Sequence, residues 1–434
     1  MLTALLLATL AAPAPAPAAD AAQILREKLP GLVALYKELH AAPELSLHEE
    51  KSSARMASEL RALGYQVTEK VGGFGVVGVL ENGPGRTLLV RCDMDALPVE
   101  EKTGLAYASK VVTDLSGKQV PAMHACGHDM HMSVWLGTAT VLARLKEQWK
   151  GKLILIAQPA EEKGLGAHAM LDDKLFERFG KPDGCLALHM SSAYAAGTVA
   201  LCPGYALANA ESCDILVKGR GGHGSMPHTT IDPVVIAAKI VLGLQTVISR
   251  EKDPRQPGVI TVGSIHGGSK HNIIPDDCAL QLTIRSYDDK VHEALKAGIV
   301  RVAKAEAQAA GAPEPEVSFS EAVKSTFNDP TWCARLGEIF RGAVGAANVF
   351  DAQPVMGAED FGLFGRSGVP AVMFWLGAWE RGRFDAAQKS GEVLPSLHSS
   401  GFAPDPQPAL ETGVLAMSAA VLDAFANGVP AQKK

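Results

Sequence analysis

The sequence predicts an α/β protein in two parts: a mostly parallel sheet with helices on both faces, and a ferredoxin-like βαββαβ unit inserted into it. Three observations carry the prediction. Short continuous apolar runs alternate with helix-periodic stretches over residues 20–203, as in parallel strands buried on both faces and joined by crossover helices. Residues 204–317 then spell strand, helix, strand, strand, helix, strand, the order of a ferredoxin-like unit. Finally "GVPAVMFWLG" (368–377) is an apolar run of the first kind, which returns the chain to its first sheet. The expected organisation is a leader over 1–19, a main domain over 20–203 and 318–434, and an inserted lid or dimerisation domain over 204–317. A chain of 434 residues exceeds one ordinary domain.

The elements follow in order. "MLTALLLATLAAPAPAPAAD" has a short apolar run followed by several Ala-x-Ala steps, the layout of a secretory signal, although it lacks a basic start. A helical stretch follows in "AAQILREKLPGLVALYKELHAAPEL". "RTLLVRCDMDALP", "GKLILIAQPAEE" and "GCLALHM" each begin apolar and end polar, as buried strands leading into loops. Between the first two, Met130, Val134, Ala139, Leu142 and Leu145 recur at helical spacing. In the inserted unit the strands are "ESCDILVKGRG", "PGVITVGSIHGG", "DDCALQLTIRS" and "EPEVSFS". Its helices are "IDPVVIAAKIVLGLQTVISR" and "DKVHEALKAGIVRVAKAEAQAAG".

Composition narrows the function. A net charge of −6 offers no basic excess for a nucleic-acid partner, and no stretch of the body reads as long and apolar enough to span a bilayer. The seven cysteines show no framework spacing, so most read as small buried hydrophobes, and an odd count leaves at least one thiol free or ligating.

In open α/β sheets ligands bind beyond the carboxyl ends of the strands, and there the reactive residues collect. Asp93 and Asp95 close one strand, Glu161 and Glu162 the next, and His189 the third. "HACGHDMH" (124–131) enters a helix, and His398 lies in a late loop. Locally "HACGHDMH" fits a metal site, a cysteine nucleophile with a histidine base, or a polar turn. A Cys126 nucleophile leaves Glu161, Glu162, His189 and His398 without a task. Two divalent cations employ the whole set, since they need several anionic or imidazole ligands and one carboxylate free to move protons. His124 and His131 are expected to serve in hydrogen bonding or packing.

The ordered motifs "RCDMDALP", "MHACGHDMH", "QPAEE", "LALHM", "KGRGGHGSMPH", "HNIIPD", "GAEDF" and "LHSSGF" resemble the dinuclear metallopeptidase superfamily of aminoacylases and carboxypeptidase G. They resemble most its amidohydrolase branch of hippurate and indole-acetyl-amino-acid hydrolases. The resemblance covers nearly the whole chain after the leader. It implies that Cys126, His128, Glu162, His189 and His398 hold two metals, with Glu161 as general base. The superfamily's His-x-Asp is Asp93-Met94-Asp95 here, which places these aspartates behind the ligands. It also implies that His223 braces the oxyanion, often in the partner subunit's site, and that Asn272 and Arg285 grip a substrate carboxylate. The implied reaction is amide hydrolysis of N-acyl or N-aroyl amino acids by a homodimer using zinc, with manganese, cobalt and nickel also suited to the donors. A dipeptidase or carboxypeptidase is the alternative within the class, and a non-catalytic solute- or metal-binding relative the alternative outside it.

Overall fold

A computed structural model describes residues 16–430. The expected leader falls almost wholly outside that range. An eight-stranded sheet forms the main body, and its central strands Gly151–Gln158, Arg86–Asp93, Gly184–Ala195 and Ala371–Trp379 run parallel, side by side in that order. Both flanks depart from the parallel rule, because Gly75–Asn82 joins Gly151–Gln158 antiparallel and Val199–Leu201 joins Ala371–Trp379 antiparallel. The central runs are almost fully buried, as expected of strands covered on both faces.

Two apolar layers enclose the sheet. On one face the helices Ala16–Ala41, His128–Arg144, Pro330–Val344 and Pro406–Asn427 build a core that includes Tyr36, Trp135, Trp332 and Phe374. Trp135 also donates its indole N–H to Val90 O at 3.1 Å, fixing the helix on the sheet. The other face buries Phe361, Phe364, Met373 and Trp375.

The chain from 209 to 323 forms a separate antiparallel sheet in the spatial order Gly258–His266, Asp277–Ser286, Asn209–Lys218, Glu316–Val323. Helices Pro233–Thr246 and Asp289–Ala309 cover one face over their own core of Ile215, Ile240, Leu280 and Ile299. Each helix starts at an aspartate that accepts first-turn N–H groups: Asp232 from Val234 at 2.9 Å and Asp288 from Lys290 at 2.8 Å. This is the N-cap that helices favour. The last strand continues six residues past 317, to Val323.

The expectation about membrane-length segments needs correction. Pro233–Glu251 and Pro406–Asn427 are both long and apolar enough to cross a bilayer by length and composition. The second lies mostly inside the core, which accounts for its hydropathy. The first has only 33% of its apolar window buried, and Val235 and Leu242 stand exposed on it. All seven cysteines are buried free thiols.

Candidate active site

The strand order reverses direction at Arg86–Asp93. From there the chain passes through helix His128–Arg144 to Gly151–Gln158 on one side, then comes back to Gly184–Ala195 on the other. Such a reversal opens a crevice beyond the strand ends, and the reactive residues surround it. His189 is not at a strand end as the sequence suggested, since its strand runs on to Ala195. Pairing sets it level with Trp375, which carries it to the crevice all the same.

Cys126 and His128 reach the crevice through Gly127, whose φ of 87° belongs to the left-handed region. A side chain there would also meet Met190 Cγ at 2.8 Å, so glycine is required twice over. The loop carrying His398 is tied in by its own N–H, which donates to Ala125 O at 2.8 Å. As a result Cys126 Sγ lies 3.2 Å from His398 Nε2 and 3.5 Å from His189 Nε2. His398 Nε2 is also 3.5 Å from Glu162 Oε2. His128 Nε2 stands 3.8 Å from both Glu161 Oε2 and Glu162 Oε1.

These donors suit cations better than one another. Both ring nitrogens of His128 and Oε1 of Glu162 are buried without a hydrogen-bond partner, a costly state for polar atoms left alone. Burial, then the neighbouring Glu359 and Glu162 carboxylates, push Glu161 well above the usual range. Burial raises Glu162 as well, to about 7. Donor atoms of Cys126, His128 and His189 lie within 4.8 Å of one another, as do those of Cys126, Glu162 and His398. The two groups share Cys126, and donor atoms of His128, Glu161 and Glu162 also lie within that distance of one another.

The surrounding contacts separate ligand-like groups from supporting ones. His189 Nδ1 donates to Met190 O at 2.8 Å, which turns the Nε2 lone pair toward Cys126. His131 accepts from Met190 N–H at Nε2 (2.8 Å), so its Nδ1 carries the proton given to Asp93 at 2.6 Å. Both His131 nitrogens are therefore engaged, as expected of a supporting residue. His124 is buried with neither nitrogen hydrogen-bonded, and burial lowers it to about 4, so it packs as a neutral ring. Asp95 Oδ1 and Oδ2 accept from the backbone N–H groups of Glu161 and Glu162 at 3.1 and 3.0 Å.

One cluster went unread in the sequence. Arg91, fully buried, donates to Asp93 at 2.6 Å, to Glu359 at 2.7 Å and to Asp360 at 3.1 Å. Only an arginine inside an apolar strand and the acid pair of "GAEDF" hinted at it.

A cavity of about 640 Å³ opens over Cys126, Glu161, Glu162, His189 and His398, and the second sheet roofs it. Arg285 lines that roof, half-buried, with its Nε on Thr283 Oγ1 at 3.1 Å. His223 and Asn272 do not line it. They stand together on an exposed two-stranded ribbon formed by Gly222–His223 and Ile273–Ile274, where Gly224 N–H donates to Asn272 O at 2.9 Å. Six of the nine expected residues thus converge, Arg285 faces them from across the cavity, and two lie apart.

A sheet of this topology with such a donor set at its carboxyl edge defines a metal-dependent hydrolase. The chain belongs to peptidase family M20/M25/M40, which matches residues 89–391. It is 38% identical to thermostable carboxypeptidase 1 of Saccharolobus solfataricus over 390 residues, 89% of this chain and 93% of that one. It is 35% identical to hippurate hydrolase of Campylobacter jejuni over 329 residues, 75% of this chain and 83% of that one. The crystal structure of YxeP from Bacillus subtilis, a dinuclear metal-binding peptidase of the M20 family, superposes with a TM-score of 0.75 at 25% identity. That superposition covers 92% of this chain and 99% of YxeP.

Proposed function

We propose that the protein cleaves the amide bond of N-acyl or N-aroyl amino acids, releasing a carboxylic acid and a free amino acid. The observation that carries this reading is the meeting of one thiol, three imidazoles and two carboxylates across a cavity from an arginine. Cys126, His128, Glu162, His189 and His398 would hold two divalent cations, zinc being the best match to a thiolate and imidazoles. Bound there, the cations would supply Lewis acidity to the scissile carbonyl and acidify a neighbouring water. Glu161 takes the proton from the attacking water and returns it to the leaving nitrogen. Arg285 has no ion-pair partner among the described residues, which leaves its planar fork for the substrate carboxylate.

Metal analysis with a panel of N-acetyl and N-benzoyl amino acids and dipeptides, repeated with each metal in turn, tests this. A sample holding two metals per chain that hydrolysed none of them would refute it. The carboxypeptidase relative supports a second reading, short peptides cleaved beside the same carboxylate, and preferential dipeptide turnover would select it. Arg285→Ala is expected to raise KM for carboxylate-bearing substrates by about 10–100-fold, the range of a charged hydrogen bond. Equal damage with amidated substrates would remove the clamp from Arg285.

The exposed ribbon supports a homodimer, in which His223 and Asn272 of one protomer enter the partner subunit's cavity. Strand Gly258–His266 is a free sheet edge, and Val235 and Leu242 beside it expose an apolar stripe. Light scattering giving a monomer mass at micromolar concentration would count against this. Export by the leader is proposed on its layout alone, and an uncleaved N-terminus on protein recovered from the native host would oppose it.

A further inference from the structure

We propose that Glu49 is a positioning residue that holds the Ala160–Glu162 turn, and through it aims Glu161 at the reacting water. The inference rests on the reading of Glu161 as general base. Three successive backbone N–H groups of that turn are held by two buried carboxylates from elsewhere in the chain. Ala160 N–H donates to Glu49 Oε1 at 2.8 Å, while Glu161 and Glu162 N–H both donate to Asp95. One short loop serves both supports, carrying Glu49 itself and bracing Asp95, to which Ser46 Oγ donates at 2.6 Å. Glu49 is itself fixed by Leu47 N–H at 3.0 Å.

Ala160 explains why support is needed. Its φ of 51° and ψ of 39° are left-handed, a conformation that a residue with a Cβ keeps only where its surroundings hold it. This one peptide unit sets the exit direction of the next two side chains. Glu161 goes toward Glu359 and Glu162 toward His398. Without an acceptor at Glu49, the buried Ala160 N–H is orphaned and the turn is free to relax to right-handed or extended backbone. Either change swings Glu161.

The support does not require a charge. Glu49 is completely buried, its Oε2 has no partner, and burial followed by the Asp95 carboxylate raises it to about 7. An amide oxygen at this position accepts the same N–H.

The test compares Glu49→Gln, Glu49→Ala, Glu49→Asp and Glu49→Ala combined with Ala160→Gly, with Glu161→Gln in parallel. Glu49→Ala is expected to lower kcat by about 10–100-fold, the scale of a displacement of roughly 1 Å at a reacting group. KM should stay as in the parent, and any fall in metal content should be much smaller than the fall in kcat, because Cys126, His128, His189 and His398 stand outside the turn. Glu49→Gln should keep turnover within about threefold of the parent, because its carbonyl oxygen replaces Oε1. Glu49→Asp should behave like Glu49→Ala, since the shorter side chain cannot reach Ala160; it supplies the reading if Glu49→Ala fails to fold. Ala160→Gly should restore much of the loss, because glycine adopts the left-handed turn without help. Unchanged kcat in Glu49→Ala or Glu49→Asp overturns the proposal, as does a loss that KM or metal content accounts for in full, or no recovery with Ala160→Gly. If Glu161→Gln keeps full turnover, the general-base reading itself has failed, a result distinct from an active Glu49→Ala beside an inactive Glu161→Gln.

Discussion

Glu161→Gln is expected to lower kcat by about 10²–10⁴-fold, the usual contribution of a positioned general base, while metal content and fold stay unchanged. The substitution keeps the size of the side chain and the backbone N–H that Asp95 accepts. It removes only the capacity to take up a proton. Metal binding should survive because Cys126, His128, His189 and His398 are untouched, and Glu162 still faces His128 and His398 at 3.8 and 3.5 Å. Removing one of three mutually repelling carboxylates also eases the burden on Glu162 and Glu359. The decisive comparison is with Glu162→Gln, which should lose metal together with activity. Loss of metal in both variants would mean that the two glutamates share one role and that the division between ligand and base is wrong. Parent-like turnover in Glu161→Gln would move the base elsewhere, with Glu359 next in position.

Much of the architecture was legible because burial on both faces of a strand leaves an unmistakable apolar run, as in "KLILIA" and "AVMFWL". Strand direction was harder to read. Gly75–Asn82 is as apolar as its neighbours, yet it pairs antiparallel with Gly151–Gln158; an apolar run records burial and not the sense of the adjacent strand. The convergence of the five ligand candidates was legible because imidazole, thiol and carboxylate in the loops and strands around one sheet edge have few other uses in combination, while their assignment as ligands is what the resemblance implies. Arg91 was not, since a lone arginine in a strand reads as surface until its three acids are seen around it. Glu49 was equally hidden, because an acceptor for a single backbone N–H needs no motif. His223 and Asn272 lie away from the cavity in the single chain described, so nothing within it bears on the roles expected of them.

Arg91→Met should destabilise the fold by about 3–5 kcal/mol, the cost of leaving buried charges unpaired. Arg91 is fully enclosed, and Asp93, Glu359 and Asp360 surround it with no solvent to share their charge. Burial alone would push the guanidinium down, but these three acids outweigh it and hold the group well above its ordinary value. The same acids suffer when the cation is removed: burial already raises Asp360 to about 8, and Asp93 and Glu359 would be left in the same enclosed site without the cation that both now face. A lysine should recover only part of the loss. It provides one compact charge where Arg91 spreads donors over Asp93, Glu359, Asp360 and Gln158. If the penalty arises from stranded carboxylates and not from lost packing, it must shrink when the acids are neutralised first. Denaturant unfolding of Arg91→Met in a background of Glu359→Gln and Asp360→Asn should therefore show a cost at least 1 kcal/mol smaller than in the parent, a coupling of the usual size for contacting groups. An equal cost in both backgrounds would assign Arg91 a packing role and detach the cluster from the electrostatics of the site.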